Sequence, residues 1–109
     1  MKQIKHIFSI GLNDQHTKKQ IYTIKQAQSR VVATLMRHKV INGYTITSAK
    51  GGYKHTNGAF VNENSLILEL FDKLPKKVIK SLIDSIKSED CLNQESIVYT
   101  RQKVNSVFM

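Results

Sequence analysis

Residues 44–72 read YTITSAKGGYKHTNGAFVNENSLILELFD, and they carry the clearest indication of the fold. Two segments rich in β-branched and apolar residues, 44–54 and 59–72, flank the pair Asn57-Gly58. Asn-Gly is the strongest short hairpin signal, because both residues tolerate positive φ. The sequence therefore predicts two antiparallel strands joined by a tight turn.

The apolar side chains of this hairpin also predict its register. Counting back from Asn57-Gly58 places the leucines of the second strand opposite Ala49, Thr47 and Thr45, which is a poor match. One extra residue at Gly51-Gly52 would instead bring Ile46 opposite Leu68 and align the apolar faces. We therefore predict a β-bulge at this glycine pair.

The segments on either side of the hairpin predict one strand and one helix each. Residues 3–12 alternate apolar and polar side chains with the two-residue period of a strand. Thr23 and Gln26 form a capping-box pattern, after which apolar residues recur at helical spacing as far as about residues 38–43. Pro75 opens a second amphipathic helix to about Ser88, and residues 95–101 alternate as a final strand.

The order β-α-β-β-α-β is typical of a ferredoxin-like α+β domain, here one domain spanning residues 1–109. In that arrangement two helices cover one face of a four-stranded antiparallel sheet. The other face stays open, and apolar residues fall on it at Ile7, Ile67, Phe71 and Val98. An exposed apolar face favours association of identical chains, so we predict a homo-oligomer through this face or the edge strands. The apolar tail, residues 102–109, is a second candidate for pairing with another subunit.

The composition excludes several classes of protein. The apolar runs are much shorter than the roughly 20 residues that cross a bilayer, and no signal peptide is visible. Cys91 is the only cysteine, which predicts a free thiol in a reducing cytoplasm and rules out a disulfide within the chain. The four histidines show no metal-ligand spacing, so we predict no metal and no cofactor.

The positive charge is concentrated in the first half of the chain. The net charge is +9, and residues 1–55 hold ten Lys or Arg with one acidic residue, whereas residues 56–109 hold seven of each kind. A clustered basic field attracts anionic partners, although high charge also serves solubility alone.

The predicted topology brings several polar segments to one end of the sheet. The first strand ends there, the hairpin turns there, and the last strand begins there. The candidate ligand-binding residues are Asn13, Asp14, Lys50, Gly51, Gly52, Tyr53, Lys54, His55, Asn57, Glu63, Asn93, Gln94, Glu95 and Arg101.

These residues have ordinary structural roles as well as functional ones. Tyr53 could stack on a base between its neighbouring lysines, or form a simple cross-strand contact. The triplet 93–95 could read an adenine or ribose edge, or form a turn. No phosphate-loop motif accompanies the glycines.

Short motifs give a resemblance over about residues 6–72. The motifs are residues 8–12 (FSIGL), 43–46 (GYTI) and 49–53 (AKGGY), followed by Gly58 through Glu63 to Leu66. They resemble a bacterial family of small ferredoxin-like proteins of unknown function. That family's aromatic residue after a glycine, its hairpin turn and its acidic residue correspond here to Tyr53, Asn57-Gly58 and Glu63. The Lys/Asn/Ile-rich composition and residues 93–95 are also similar to small phage proteins, some of which sequester nucleotide messengers of bacterial immunity.

From these observations we predict a non-enzymatic oligomeric protein that captures a small anionic nucleotide-like ligand. The resemblance implies phage counter-defence as a role for such capture. Lys50, Tyr53, Lys54, His55 and Arg101 would make the contacts. Three alternatives stay open: a nucleic-acid-binding module using the sheet face or the basic loop at residues 16–25, a small dimeric α/β-barrel-type enzyme with His55 or Glu63 as general base, and an inhibitor of a host protein.

Overall fold

The computed structural model describes residues 2–38, 41–54, 56–71, 73–94 and 97–105. Within them the chain forms four strands and two helices in the predicted order. The elements are β1 (Lys2–Gly11), α1 (Ile24–Met36), β2 (Thr45–Lys54), β3 (Phe60–Leu70), α2 (Lys76–Lys87) and β4 (Val98–Asn105).

The four strands form one antiparallel sheet in the order β2-β3-β1-β4. β1 lies between β3 and β4, with Ser9 paired to Ile67 on one side and to Val98 on the other. α1 connects β1 to β2, and α2 connects β3 to β4. In each case one other strand lies between the two connected strands in the sheet. This is the predicted ferredoxin-like α+β fold, and the prediction is confirmed.

The even-numbered residues of β1 and β3 form the centre of the core. Phe8 and Ile10 are buried beside Leu66, Leu68 and Leu70, since partners of the same parity share a face of the pleated sheet. Both helices pack against this face. Their buried apolar residues are Ala27, Val31 and Leu35 from α1 and Ile79, Leu82 and Ile86 from α2.

The two helices begin where the sequence predicts. The Thr23 hydroxyl accepts from the Gln26 N–H at 3.1 Å, and the Gln26 side chain accepts from the Thr23 N–H at 3.0 Å, which completes the capping box. Pro75 is the N-cap of α2, and its carbonyl accepts from Val78 and Ile79. α1 ends at Met36, slightly before the predicted end.

The predicted β-bulge at Gly51-Gly52 is wrong, although the predicted alignment of apolar faces is right. Ile46 pairs with Leu68 as expected, and the pairing continues without interruption through Gly51↔Glu63 to Lys54↔Phe60. The connection between the strands therefore has five residues, 55–59, instead of two. The extra residue that sets the register lies in the turn, where the Asn57 side chain accepts from the Ala59 N–H.

The last strand is displaced along the chain from its prediction. β4 runs from Val98 to Asn105, so part of the predicted apolar tail pairs with β1 of the same chain, down to Lys2↔Asn105. Glu95, Ser96 and residues 106–109 lie outside the described residues. No helix among the described residues is long and apolar enough to span a membrane.

Candidate functional site

A cavity of about 780 Å³ lies on the open face of the sheet, at the end where β1 stops. Its volume falls within the usual range for small-molecule sites, roughly 300–1,000 Å³. The lining residues come from the strands and from the loops around residues 13–18 and 94; they are Ser9, Gly11, Asn13, Asp14, Gln15, Lys18, Gly51, Gly52, Val61, Glu63, Ser65, Gln94 and Val98.

The floor of this cavity consists of small residues on neighbouring strands. Gly11 of β1 pairs with Ser65 of β3, and Gly51 of β2 pairs with Glu63 of β3. Ser9 adds a further short side chain one step along β1. With so few side-chain atoms above the sheet, a flat ligand can approach the backbone closely.

Glu63 is the principal charged group of the floor, and its carboxylate is held by one backbone hydrogen bond in space left free by a glycine. Its Oε2 accepts from the backbone N–H of Asn13 at 2.8 Å. The carboxylate also lies over Gly11, where a Cβ would come within 2.5 Å of Oε1 and 2.6 Å of Oε2. Gly11 is therefore required for this position of Glu63, since any side chain would displace the carboxylate.

The loop after β1 is organised by Asp14, which is buried. One carboxylate oxygen, Oδ2, accepts from the N–H groups of His16 and Thr17, each at 3.0 Å, and Oδ1 accepts from the Asn93 side chain at 2.6 Å. The hydrogen bond from Thr17, followed by that from Asn93, holds the pKa of Asp14 below its ordinary value, against an opposing effect of burial. Asp14 therefore uses one oxygen to hold the loop and the other to bind the segment before β4.

The segment before β4 closes this wall of the cavity. Gln94 is buried, and its amide donates to the carbonyl of Asn13 at 2.8 Å. Asn93 adopts a left-handed backbone conformation with φ of 49°, which places its side chain against Asp14. Asparagine tolerates this region better than most residues. The predicted convergence of residues 11–14 with 93–94 is present.

The predicted basic residues of the hairpin lie apart from the cavity lining. Lys50 pairs with Asn64 and Lys54 pairs with Phe60, so both lysines share the parity of the buried leucines and point away from the open face. Among the described lining residues the charged ones are Asp14, Lys18 and Glu63. With two acidic side chains and one basic side chain, this lining does not form a basic pocket that would select anions.

Three of the predicted site residues cannot be placed by their side chains. His55 and Glu95 lie outside the described residues, and for Tyr53 the structure describes the backbone of β2 alone. Asn57 lies in the turn, and Arg101 of the outermost strand β4 pairs with His6 on the helix-covered face, so neither is among the residues that line the cavity.

Sequence reasoning missed Gly11, Ser9, Ser65, Gln15, Lys18, Val61 and Val98 as lining residues. A signal for Gly11 exists in the sequence, because a glycine at the end of a strand marks a close approach. Among the described residues, no group of three or more His, Cys, Asp or Glu is arranged to hold a metal ion.

Solved structures with the same fold include enzymes and proteins of other kinds. A phage SAM lyase in complex with S-methyl-5'-thioadenosine matches with a TM-score of 0.69 and 21% identity, covering 92% of this chain and 80% of that one. The same kind of phage enzyme in its apo state matches with a TM-score of 0.66 and 22% identity, covering 94% and 81%.

A point mutant of CutA1 from Pyrococcus horikoshii matches with a TM-score of 0.58 and 16% identity, covering 94% of this chain and 86% of that one. No family model and no curated protein matches the chain. At these identities the likeness shows a shared fold alone. The same fold occurs in a lyase and in CutA1.

Proposed function

We propose that this protein binds S-adenosylmethionine in the open-face cavity and cleaves it, releasing S-methyl-5'-thioadenosine. The observation that carries the proposal is the fixed Glu63 carboxylate over a floor of small residues. The same fold in a phage SAM lyase that binds S-methyl-5'-thioadenosine supports it.

The chemistry of the cavity suits this substrate. S-adenosylmethionine has a planar adenine, which fits the open part of the floor at Gly51 and Ser65 beside the Glu63 carboxylate, and a cationic sulfonium, which a carboxylate attracts. Two opposite charges about 4 Å apart interact by about 4 kcal/mol at an effective dielectric constant of 20, before the cost of desolvation. Glu63 would provide most of this attraction from the floor, because it accepts a single hydrogen bond, from Asn13, whereas Asp14 keeps its charge but accepts three hydrogen bonds in the wall of the cavity.

The reaction needs no co-reactant. The bond between sulfur and the methionine Cγ breaks, and its electron pair passes to the sulfonium, which becomes a neutral thioether. The substrate's own carboxylate attacks Cγ and closes a lactone, so atoms and charges balance. A bound conformation that brings the carboxylate oxygen to Cγ accelerates such a step without an acid or a base.

Glu63 should act more on binding than on the chemical step. Because the sulfonium loses its charge as the bond breaks, a nearby carboxylate stabilises the substrate more than the transition state. Removing the negative charge is therefore expected to raise KM at least about tenfold, with a smaller change in kcat, which corresponds to about 1.4 kcal/mol of lost binding.

The test compares Glu63→Gln with Glu69→Gln. Glu69 lies on the same strand and face, but pairs with Lys5 outside the cavity. Calorimetry measures S-adenosylmethionine binding, and mass spectrometry follows S-methyl-5'-thioadenosine and the four-carbon product. We expect release by the wild type and by Glu69→Gln, and in Glu63→Gln weaker binding with a clear loss of release at substrate concentrations below KM. Binding without release would leave a sequestering protein, and the absence of both would refute the proposal.

A second candidate is the non-enzymatic capture of an anionic nucleotide, the prediction drawn from the charge of the first half of the chain. The exposed Lys50 and Lys54 of β2 favour it. Calorimetry with cyclic nucleotides and ADP-ribose derivatives tests it, and Lys50→Ala with Lys54→Ala should then weaken binding at least about tenfold. Affinity for random oligonucleotides that falls steeply with salt would instead favour a nucleic-acid-binding module.

We further propose that identical chains associate through the open face. Val98 is 64% exposed there, next to the partly buried Ile7 and Ile67. Sedimentation velocity should give a species larger than 12.5 kDa, and Val98→Asp should shift it toward the monomer. The cytoplasmic location and the counter-defence role stay predictions.

A further inference from the structure

The loop after β1 is fastened to the segment before β4 by four hydrogen bonds. The Asn93 side chain donates to Asp14 Oδ1 at 2.6 Å and accepts from Gln15 Nε2 at 2.7 Å, and its carbonyl accepts from the Gln15 N–H at 3.0 Å. The Gln94 amide donates to the Asn13 carbonyl at 2.8 Å. Residue 93 alone makes three of these bonds.

Asn13 connects this fastening to the cavity. Its carbonyl is held by Gln94, and its N–H donates to Glu63 Oε2 at 2.8 Å. The bonds from Gln94 to the Asn13 carbonyl and from Asn93 to Asp14 hold the chain on the C-terminal side of this N–H, and the Leu12 N–H, which donates to the Asn64 carbonyl at 3.0 Å, holds it on the other side. A continuous series of hydrogen bonds thus leads from Asn93 to the Glu63 carboxylate, thirty positions earlier in the chain.

Asn93 is suited to an indirect role. It is partly buried and is not among the described residues that line the cavity, whereas Asp14 and Gln94 are. Its backbone adopts the left-handed conformation, with φ of 49°, which directs the amide group toward Asp14 and Gln15. A turn at this position requires only the left-handed backbone of Asn93. The two hydrogen bonds of its side chain, to Asp14 and from Gln15, are additional to that requirement.

We propose that Asn93, acting through Asp14 and Asn13, is a positioning residue that fixes the Glu63 carboxylate for a cationic ligand. The identity of the ligand rests on the proposed function; the positioning of Glu63 does not. Asn93 touches neither the ligand nor the reacting atoms.

The test uses Asn93→Gly, since glycine keeps the left-handed backbone and removes the amide group. Gln26→Ala is the control: it removes half of the α1 capping box and lowers stability without touching the site. NMR of the ligand-free protein measures the amide proton shift of Asn13 and the carboxyl carbon shift of Glu63 at fixed pH.

In Asn93→Gly we expect the Asn13 amide proton to move upfield as its hydrogen bond weakens, and the Glu63 carboxyl resonance to move with it. The dissociation constant for S-adenosylmethionine should rise about tenfold. In Gln26→Ala both resonances and the dissociation constant should stay at the wild-type values. Wild-type Asn13 and Glu63 resonances in Asn93→Gly would overturn the proposal.

Asn93→Asp tolerates the left-handed backbone but loses the N–H that donates to Asp14, and serves if Asn93→Gly does not fold. The same shifts, reduced in size, would support the proposal, and unchanged shifts would overturn it. If the wild type binds no S-adenosylmethionine, the proposed function fails, yet the two resonances still decide whether Asn93 positions Glu63.

Discussion

The two faces of the sheet are built from alternate residues of the same strands, and they differ in what they require. On the helix-covered face Phe8, Leu66 and Leu68 are fully buried and fill space. On the open face Gly11 and Ser65 leave space, and a carboxylate occupies part of it. One face thus provides the free energy of folding, whereas the other provides a shape and a charge. Substitutions at adjacent positions should separate these contributions.

The largest difference is expected between Leu68→Ala and Ile67→Ala. Leu68 is fully buried against the helices, so its truncation should lower the free energy of unfolding by about 2–5 kcal/mol. Ile67 is only partly buried on the open face, and a loss of roughly 1 kcal/mol is expected. Urea denaturation measures both. Equal losses would mean that the open face is packed as tightly as the core.

The next largest difference concerns two glycines of the open face. A Cβ on Gly11 would meet the Glu63 carboxylate at 2.5 Å, whereas the nearest atom to a Cβ on Gly51 lies at 4.0 Å. Because the atoms met are the end of a flexible side chain, Gly11→Ala should move the Glu63 carboxylate at a cost of about 1 kcal/mol, and should weaken ligand binding strongly. Gly51→Ala should change stability by about 0.5 kcal/mol or less. Thermal denaturation and calorimetry compare the pair.

A smaller effect should follow acidification, and it tests the wall of the open face. The pKa of Asp14 is lowered in the folded chain, so the unfolded chain binds its proton more readily. The stabilisation by Asp14 is present above the ordinary aspartate pKa of about 3.9 and is lost as the pH falls through the lowered value. Urea midpoints between pH 6 and pH 2.5 should fall less in Asp14→Asn than in the wild type.

The smallest effects belong to ion pairs on the two sides of the molecule. Lys5 and Glu69 meet at 3.1 Å on the open face with side chains 24% and 29% exposed, whereas Lys80 and Asp84 of α2 lie 3.8 Å apart and largely in solvent. Lys5→Met should cost about 0.5–1 kcal/mol, and Lys80→Met about 0.3 kcal/mol or less. Denaturation at low and high salt should reveal stronger screening of the exposed pair.

The strand and helix order was predictable because each element carries a clear period and a local signal. The leucines of β3 predict the pairing of Ile46 with Leu68, and the capping box predicts the start of α1. The bulge was mispredicted because the length of a turn depends on backbone geometry that the pair Asn57-Gly58 does not determine. The alignment of apolar residues between β2 and β3 shows that the hairpin holds one residue more than a two-residue turn allows. It does not show whether that residue lies in the strand or in the turn.

The candidate site was predictable in part. Topology alone brings Asn13, Asp14, Glu63 and Gln94 to one cavity, because it determines which strand ends meet. The orientation of Lys54 was not anticipated, because the predicted bulge at Gly51-Gly52 would have turned it to the open face; that of Lys50 follows from the predicted pairing of Ile46 with Leu68. The hydrogen bonds of Asn93 were equally inaccessible, because they depend on a left-handed backbone at a single residue.

The outermost strands of the sheet, β2 and β4, have a consequence for solubility. Unpaired strand edges are templates for aggregation, and natural proteins protect them with charged side chains, lysine above all. β2 carries Lys50 and Lys54, and β4 carries Arg101 and Lys103. Four of the 17 Lys and Arg residues are thus located where they keep identical molecules from polymerising edge to edge, and we expect a chain with these four residues neutralised to precipitate before it unfolds.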